Sequence, residues 1–178
     1  MRAEHPVREA DDGFTLLELL IAVGIVSLVA ALAVPGLLRA RMTANEVGAI
    51  GSLRVTAAAQ KAYASTCGLG AYAESFAVLG STGPAGTPAF ISDDLGQSAT
   101  PAKAGYTYTL GSGADSIAGP DDCSGKPTIT HYYATAVPTT PGWTGGRSFA
   151  VGSNSVIWEL AGPTPPAEPF GPPAAPID

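Results

Sequence analysis

The residues from Leu19 to Leu38, LLIAVGIVSLVAALAVPGLL, run for 20 positions without a charge. As an α-helix this stretch rises about 30 Å, the thickness of a bilayer's hydrocarbon core. A chain that holds such a segment must bury it in lipid or in protein. A cleaved secretory signal would be a shorter apolar stretch closed by small residues at a cleavage site. Here RARMTANEVGAIGSLRVTAAAQKAYAS follows as a further helical pattern with no loop between. The segment is therefore expected to be retained.

Three residues in or beside the run resist a simple lipid-span reading. Glu18 is an acid set between FTLL and LLIAV. A lone carboxylate in lipid costs a few kcal/mol, so an acid there needs a partner. Gly24 weakens the helix locally. Pro35 removes a backbone donor and clashes with the carbonyl of Ala31, which predicts a kink or local unwinding.

Gly13-Phe14-Thr15-Leu16-Leu17-Glu18, placed directly before the apolar run, resembles the cleavage and methylation site of type IV prepilins and type II secretion pseudopilins. The resemblance covers about residues 13–65. It implies that a prepilin peptidase cuts between Gly13 and Phe14 and that Phe14 becomes an N-methylated terminus. Glu18 would then stand fifth in the mature chain, where it neutralises a terminal amine of its own or an adjacent subunit. Pro35 matches the family's proline at the end of the membrane half. The implied partners are copies of this chain in a helical filament, the prepilin peptidase and the inner-membrane assembly machinery. The implied location is a single pass of the inner membrane with the C-terminal domain outside the cytoplasm, then a pilus or a periplasmic pseudopilus. One departure stands out. The leader MRAEHPVREADDG sets two Arg against four acids, whereas such leaders are usually net positive.

Residues 39–65 read as a helix polar enough to leave the membrane. Met42, Ile50, Leu53, Ala57 and Ala64 share one face at 100° per residue, expected to pack on the downstream domain. Ala40, Ala44, Gly48 and Ser52 recur every four residues on another face, as small residues do where a second backbone comes close. The expectation is that this stripe faces neighbouring subunits.

Further along, residues 66–105 are rich in Gly, Pro and Ser and read as a variable loop with one or two helical turns. Residues 106–161 carry the strand patterns: Tyr106–Leu110, Ile129–Val137, Ser148–Val151 and Val156–Leu160, the last two flanking the turn Gly152-Ser153-Asn154. Residues 162–178 hold seven Pro and are expected to form a flexible extended tail unable to pair as a strand. The predicted organisation is a leader (1–13), a transmembrane and assembly helix (14–38), its amphipathic continuation (39–65), the loop region, the sheet domain and the tail. The fold class is α+β, a long N-terminal helix packed on an antiparallel sheet of three or four strands.

Several function classes find little support. The net charge is −6 and no basic cluster exists, so nucleic-acid binding is not expected. Catalysis would have to be assembled around His131, which sits in a strand pattern beside Tyr132 and Tyr133. No cofactor is expected. Asp115, Asp121 and Asp122 lie in GADSIAGPDDCSG without a recognisable calcium-ligand pattern, so they read as solvated turn acids and no metal is expected. Cys67 and Cys123 both follow the membrane segment. An exported domain permits them to pair, and two unpaired thiols is the alternative.

Overall fold

The computed structural model describes residues 13–83 and 88–177. Apart from Gly13, the expected leader lies outside the described residues. The chain divides into two compact units, Met1–Leu38 and Arg39–Asp178.

One helix, α1, runs from Leu16 to Thr66. It continues through Pro35, so the local unwinding expected there is absent. A proline takes one N–H out of the ladder, and the bonds on either side hold the turn together. In the first unit every residue from Gly13 to Leu37 is exposed. This stretch is apolar all round, and none of the described residues buries it.

The second unit is built differently. After α1 come β1 (Tyr72–Ala73), two single-turn helices, α2 (Phe76–Leu79) and α3 (Asp93–Gly96), β2 (Ala102–Lys103), β3 (Tyr106–Ser112), β4 (Thr128–Ile129), β5 (Tyr132–Pro138), β6 (Arg147–Gly152), β7 (Ile157–Ala161) and β8 (Ala175–Ile177). An antiparallel sheet has the order β2-β3-β5-β6-β7-β8, and β1 pairs separately with β4. The expected strand Ile129–Val137 is thus two. Ile129 pairs with Tyr72, and β5 begins after Thr130 and His131 and joins the main sheet.

Strand alternation fixes which side chains face α1. Tyr106 and Tyr108 of β3, Tyr132, Ala134 and Ala136 of β5, Phe149 and Val151 of β6 and Ile157 of β7 join Ala49, Leu53, Ala57 and Tyr63 of the helix in one buried cluster. Few Leu, Ile or Val are available downstream. The core is made instead from fully buried tyrosines with alanines between them. The alanines let helix and sheet approach, and the rings fill the volume that remains.

The expected face of α1 needs adjustment. Leu53 and Ala57 are buried as expected, but Met42, Ile50 and Ala64 are only half-buried. The buried stripe also holds Glu46, Thr56 and Gln60. Gln60 donates to the carbonyl of Ala73 at 2.8 Å and accepts from its N–H at 2.9 Å. A polar side chain that satisfies both its donor and its acceptor is admitted to a core, and a search for apolar periodicity passes over it.

The tail also departs from expectation. From Gly162 it crosses the sheet face opposite α1. The Phe170 ring stacks on Trp158 with centroids 5.4 Å apart, and the Tyr133 hydroxyl donates to the carbonyl of Pro166 at 2.5 Å. Glu168 accepts from the N–H of Ala114 at 2.6 Å. The chain then returns as β8, pairing Ala175 with Glu159 and Ile177 with Ile157. Proline is tolerated here because β8 is an edge strand. Two short edge strands, β2 and β8, enlarge the expected sheet to six.

Candidate functional site

The first helical turn is organised by the FTLLE sequence itself. Thr15 precedes Leu16, the first helical residue, and occupies the N-cap position. Its hydroxyl accepts from the N–H of Glu18 at 3.2 Å. Glu18 Oε2 reaches back to accept from the Thr15 N–H at 3.0 Å and from the Thr15 hydroxyl at 2.8 Å. This is a capping box, in which a threonine and the acid three residues on satisfy each other's backbone donors. The pattern T-x-x-E directly before an apolar run is the sequence signal for such a box, and it overlaps the acid expected to pair with an amine. The other oxygen, Oε1, has no hydrogen bond among the described residues. Gly13 and Phe14 lie before the cap in non-helical backbone, and the Phe14 ring is exposed.

The small-residue stripe does not form one outward face. Ala40 and Ala44 are exposed, but Gly48 is half-buried and a side chain on it would meet Ala104 at 3.4 Å. Ser52 is buried in its own unit and donates to the carbonyl of Gly48 at 3.0 Å. A four-residue step overshoots the helical turn by about 40°, so the stripe winds about 120° round the helix over its length. The small and apolar positions of the second unit's helix that stay exposed after Ala44 are instead Val47, Gly51, Val55, Ala58 and Ala62.

Cys67 and Cys123 form a disulfide with Cα atoms 4.8 Å apart. It ties the end of α1 to the loop before β4. The neighbouring Asp122 is a hub: it accepts from the Tyr63 hydroxyl at 2.7 Å and from the N–H groups of Ser124 and Lys126 at 2.7 and 2.8 Å. Burial opposes its charge. The Lys126 N–H, the Tyr63 hydroxyl and the Ser124 N–H outweigh that penalty and hold the carboxyl below its ordinary range. The Tyr63 phenol moves up, first through burial and then through its bond to Asp122. These contacts account for Asp122 as a structural acid, while Asp115 and Asp121 are exposed.

At the other end of the same unit, Glu46 accepts from the N–H of Gly146 at 2.9 Å and from Nε and Nη2 of Arg147 at 3.0 and 2.7 Å. Arg147 also reaches Glu159 on β7 at 2.5 Å. The bonds to Glu46 strengthen the guanidinium's hold on its proton. This forked pair orients α1 on the sheet. His131 is exposed. Among the described residues no cluster of three or more His, Cys, Asp or Glu is arranged to hold a metal.

Residues 10–34 match the family model of the prokaryotic N-terminal methylation motif, the signature of type IV pilins and pseudopilins. No curated protein and no solved structure matches the chain.

Proposed function

We propose that this chain is the precursor of a structural subunit of a type IV pilus or pilus-like filament, with no catalytic role of its own. The observation that carries the reading is the coincidence of the methylation motif with the first part of α1, whose apolar residues are all exposed up to Leu37. Such a helix needs lipid first and other copies of itself later. In this reading a prepilin peptidase cuts between Gly13 and Phe14, and Phe14 is N-methylated. The new amine forms one residue before the Thr15 cap, close in sequence to Glu18 Oε1. Glu18 pairs with it or with the amine of an adjacent subunit, which offsets the desolvation of both charges as the helix leaves the bilayer. Pro35 lies in the segment that repacks. Ala40 and Ala44, continued by Val47, Gly51 and Val55, offer a neighbour a smooth surface. The second unit stays outside the cytoplasm and is displayed on the fibre.

A pseudopilin of a type II secretion system would use the same N-terminal element. Loss of long surface fibres on deletion supports the pilus, and loss of secreted proteins with fibres intact supports the pseudopilus. The central claim is tested by mass spectrometry of the mature protein. A methylated Phe14 terminus is expected. An intact Met1, or a terminus anywhere else, would overturn it.

A further inference from the structure

We propose that the exposed side of α1 within the unit Arg39–Asp178 binds the Gly113–Asp121 loop of a second copy, with Ile117 at the centre and opposite charges at the rim. The inference rests on the filament-subunit reading and names a contact between neighbouring copies. Every residue it uses belongs to that one unit.

The charges of this unit are sorted by element. Lys103 pairs with Asp94 at 2.5 Å, Arg147 with Glu46 and Glu159, and Lys126 Nζ donates to the Ser81 hydroxyl at 2.8 Å. The other cations, Arg39, Arg41, Arg54 and Lys61, all stand exposed on α1 without a salt bridge among the described residues. An exposed helix cation is stabilised by an acid three or four positions away. Arg54 has Ile50, Gly51, Ala57 and Ala58 at those positions, and Lys61 has Ala57, Ala58, Ala64 and Ser65. Among the described residues, the exposed acids without a salt bridge are Glu74, Asp93, Asp115 and Asp121, and none lies on α1. Cations gathered on one element and acids on others leave a copy unpaired with itself and complementary to another copy.

The two surfaces also match in kind. Arg54 and Lys61 lie within about 20° of each other round the helix and about 10 Å apart along it. Beside them lie Gly51, Val55, Ala58 and Ala62, all exposed. Gly51 and Val55 open on a cleft of about 390 Å³ that Ser92, Leu95 and Lys103 also line, and a side chain on Gly51 would meet nothing within 4 Å. Lys103 is already paired there, so an apolar group entering the cleft meets no unpaired cation. The loop carries the complement. Ile117 is 69% exposed, with Asp115 two positions before it and Asp121 four after. The loop is held in place: the Ile117 N–H donates to the Thr130 hydroxyl at 3.0 Å, the Thr130 N–H to the Ile117 carbonyl at 3.0 Å, and the Gly119 N–H to the Thr128 carbonyl at 2.9 Å. A loop so held loses little further freedom on docking. An aliphatic side chain between two acids, set against small residues beside two cations, gives the apolar centre and charged rim of a protein interface.

The test expresses the full chain in cells that make type IV filaments, with the photoreactive residue p-benzoylphenylalanine in place of Ile117. Illumination is expected to give covalent dimers in which position 117 of one copy is joined to the tryptic peptides spanning residues 42–61 of the other. Arg54→Glu with Lys61→Glu should lower the dimer yield about tenfold, and adding Asp115→Lys with Asp121→Lys to the same chain should restore it. All four side chains are exposed, and an oxidised Cys67–Cys123 pair with an unchanged near-UV signature reports an intact fold in each variant. With Phe14 as the mature terminus, the contact would be overturned by an absence of dimers or by links to other peptides or to a different protein. An unchanged yield after the first reversal, or no recovery after the second, would overturn it as well. Each of these leaves the subunit reading standing. A terminus other than Phe14 would overturn the subunit reading, and the contact with it.

Discussion

The two halves of α1 share one continuous helix and depend on different things. Along the first half no side chain is buried, and the helix holds its shape through backbone bonds and the Thr15–Glu18 cap. Along the second half one face is locked by Leu53, Gln60, Tyr63 and the Glu46–Arg147 fork. The first half therefore keeps its apolar surface available for changes of surroundings. The second carries the energy that fixes the folded unit Arg39–Asp178. A subunit that exchanges lipid for protein contacts needs this division, because a helix packed on its own sheet throughout would have no face left to exchange.

Three perturbations sharpen the contrast, each read in detergent. Reducing the Cys67–Cys123 bond opens a loop spanning 56 positions, which in the chain-entropy model costs the second unit about 4 kcal/mol. Its tertiary signal in a denaturant titration should weaken accordingly while helicity of the first unit persists. Leu53→Ala comes next. Leu53 is fully buried, and truncating such a side chain costs about 3 kcal/mol. Leu28→Ala, in the exposed half, should leave the same titration unchanged. Equal effects of the two would show that the halves are not independent. The smallest effect is pH-dependent. The Asp122 carboxyl is held low in the folded unit, so its contribution is present above the ordinary aspartate range, near pH 4, and fades as pH falls through the folded value. Asp122→Asn should flatten that acid limb. A limb of unchanged slope would assign it to other carboxylates.

Much of this architecture was legible because it repeats. The apolar run, the alternation of Tyr106, Tyr108 and Leu110 and the Gly152-Ser153-Asn154 turn each announce one element. What escaped reading depends on contacts between distant residues. Gln60 enters the core because Ala73 is there to answer it. The prolines after Gly162 rule out a central strand but permit an edge one, and only the rings on the sheet's far face, Tyr133 and Trp158, give Phe170 something to stack on. The stripe from Ala40 to Ser52 looked like one surface because a period of four is close to, and not equal to, the helical turn. In the candidate site, the residue types were all visible. The carboxylate has two roles at one position, and its charge masks its bond to Thr15.

That bond also works as a fence. Helices lengthen readily once begun, and nothing in Gly13 or Phe14 alone would stop α1 from growing backwards. With the Thr15 side chain occupying the donor that the next turn would need, helix growth halts there, and the peptide link between Gly13 and Phe14 stays in open backbone. If the chain is cut there as proposed, the same acid that pairs with the new amine also keeps the place of cutting within reach beforehand.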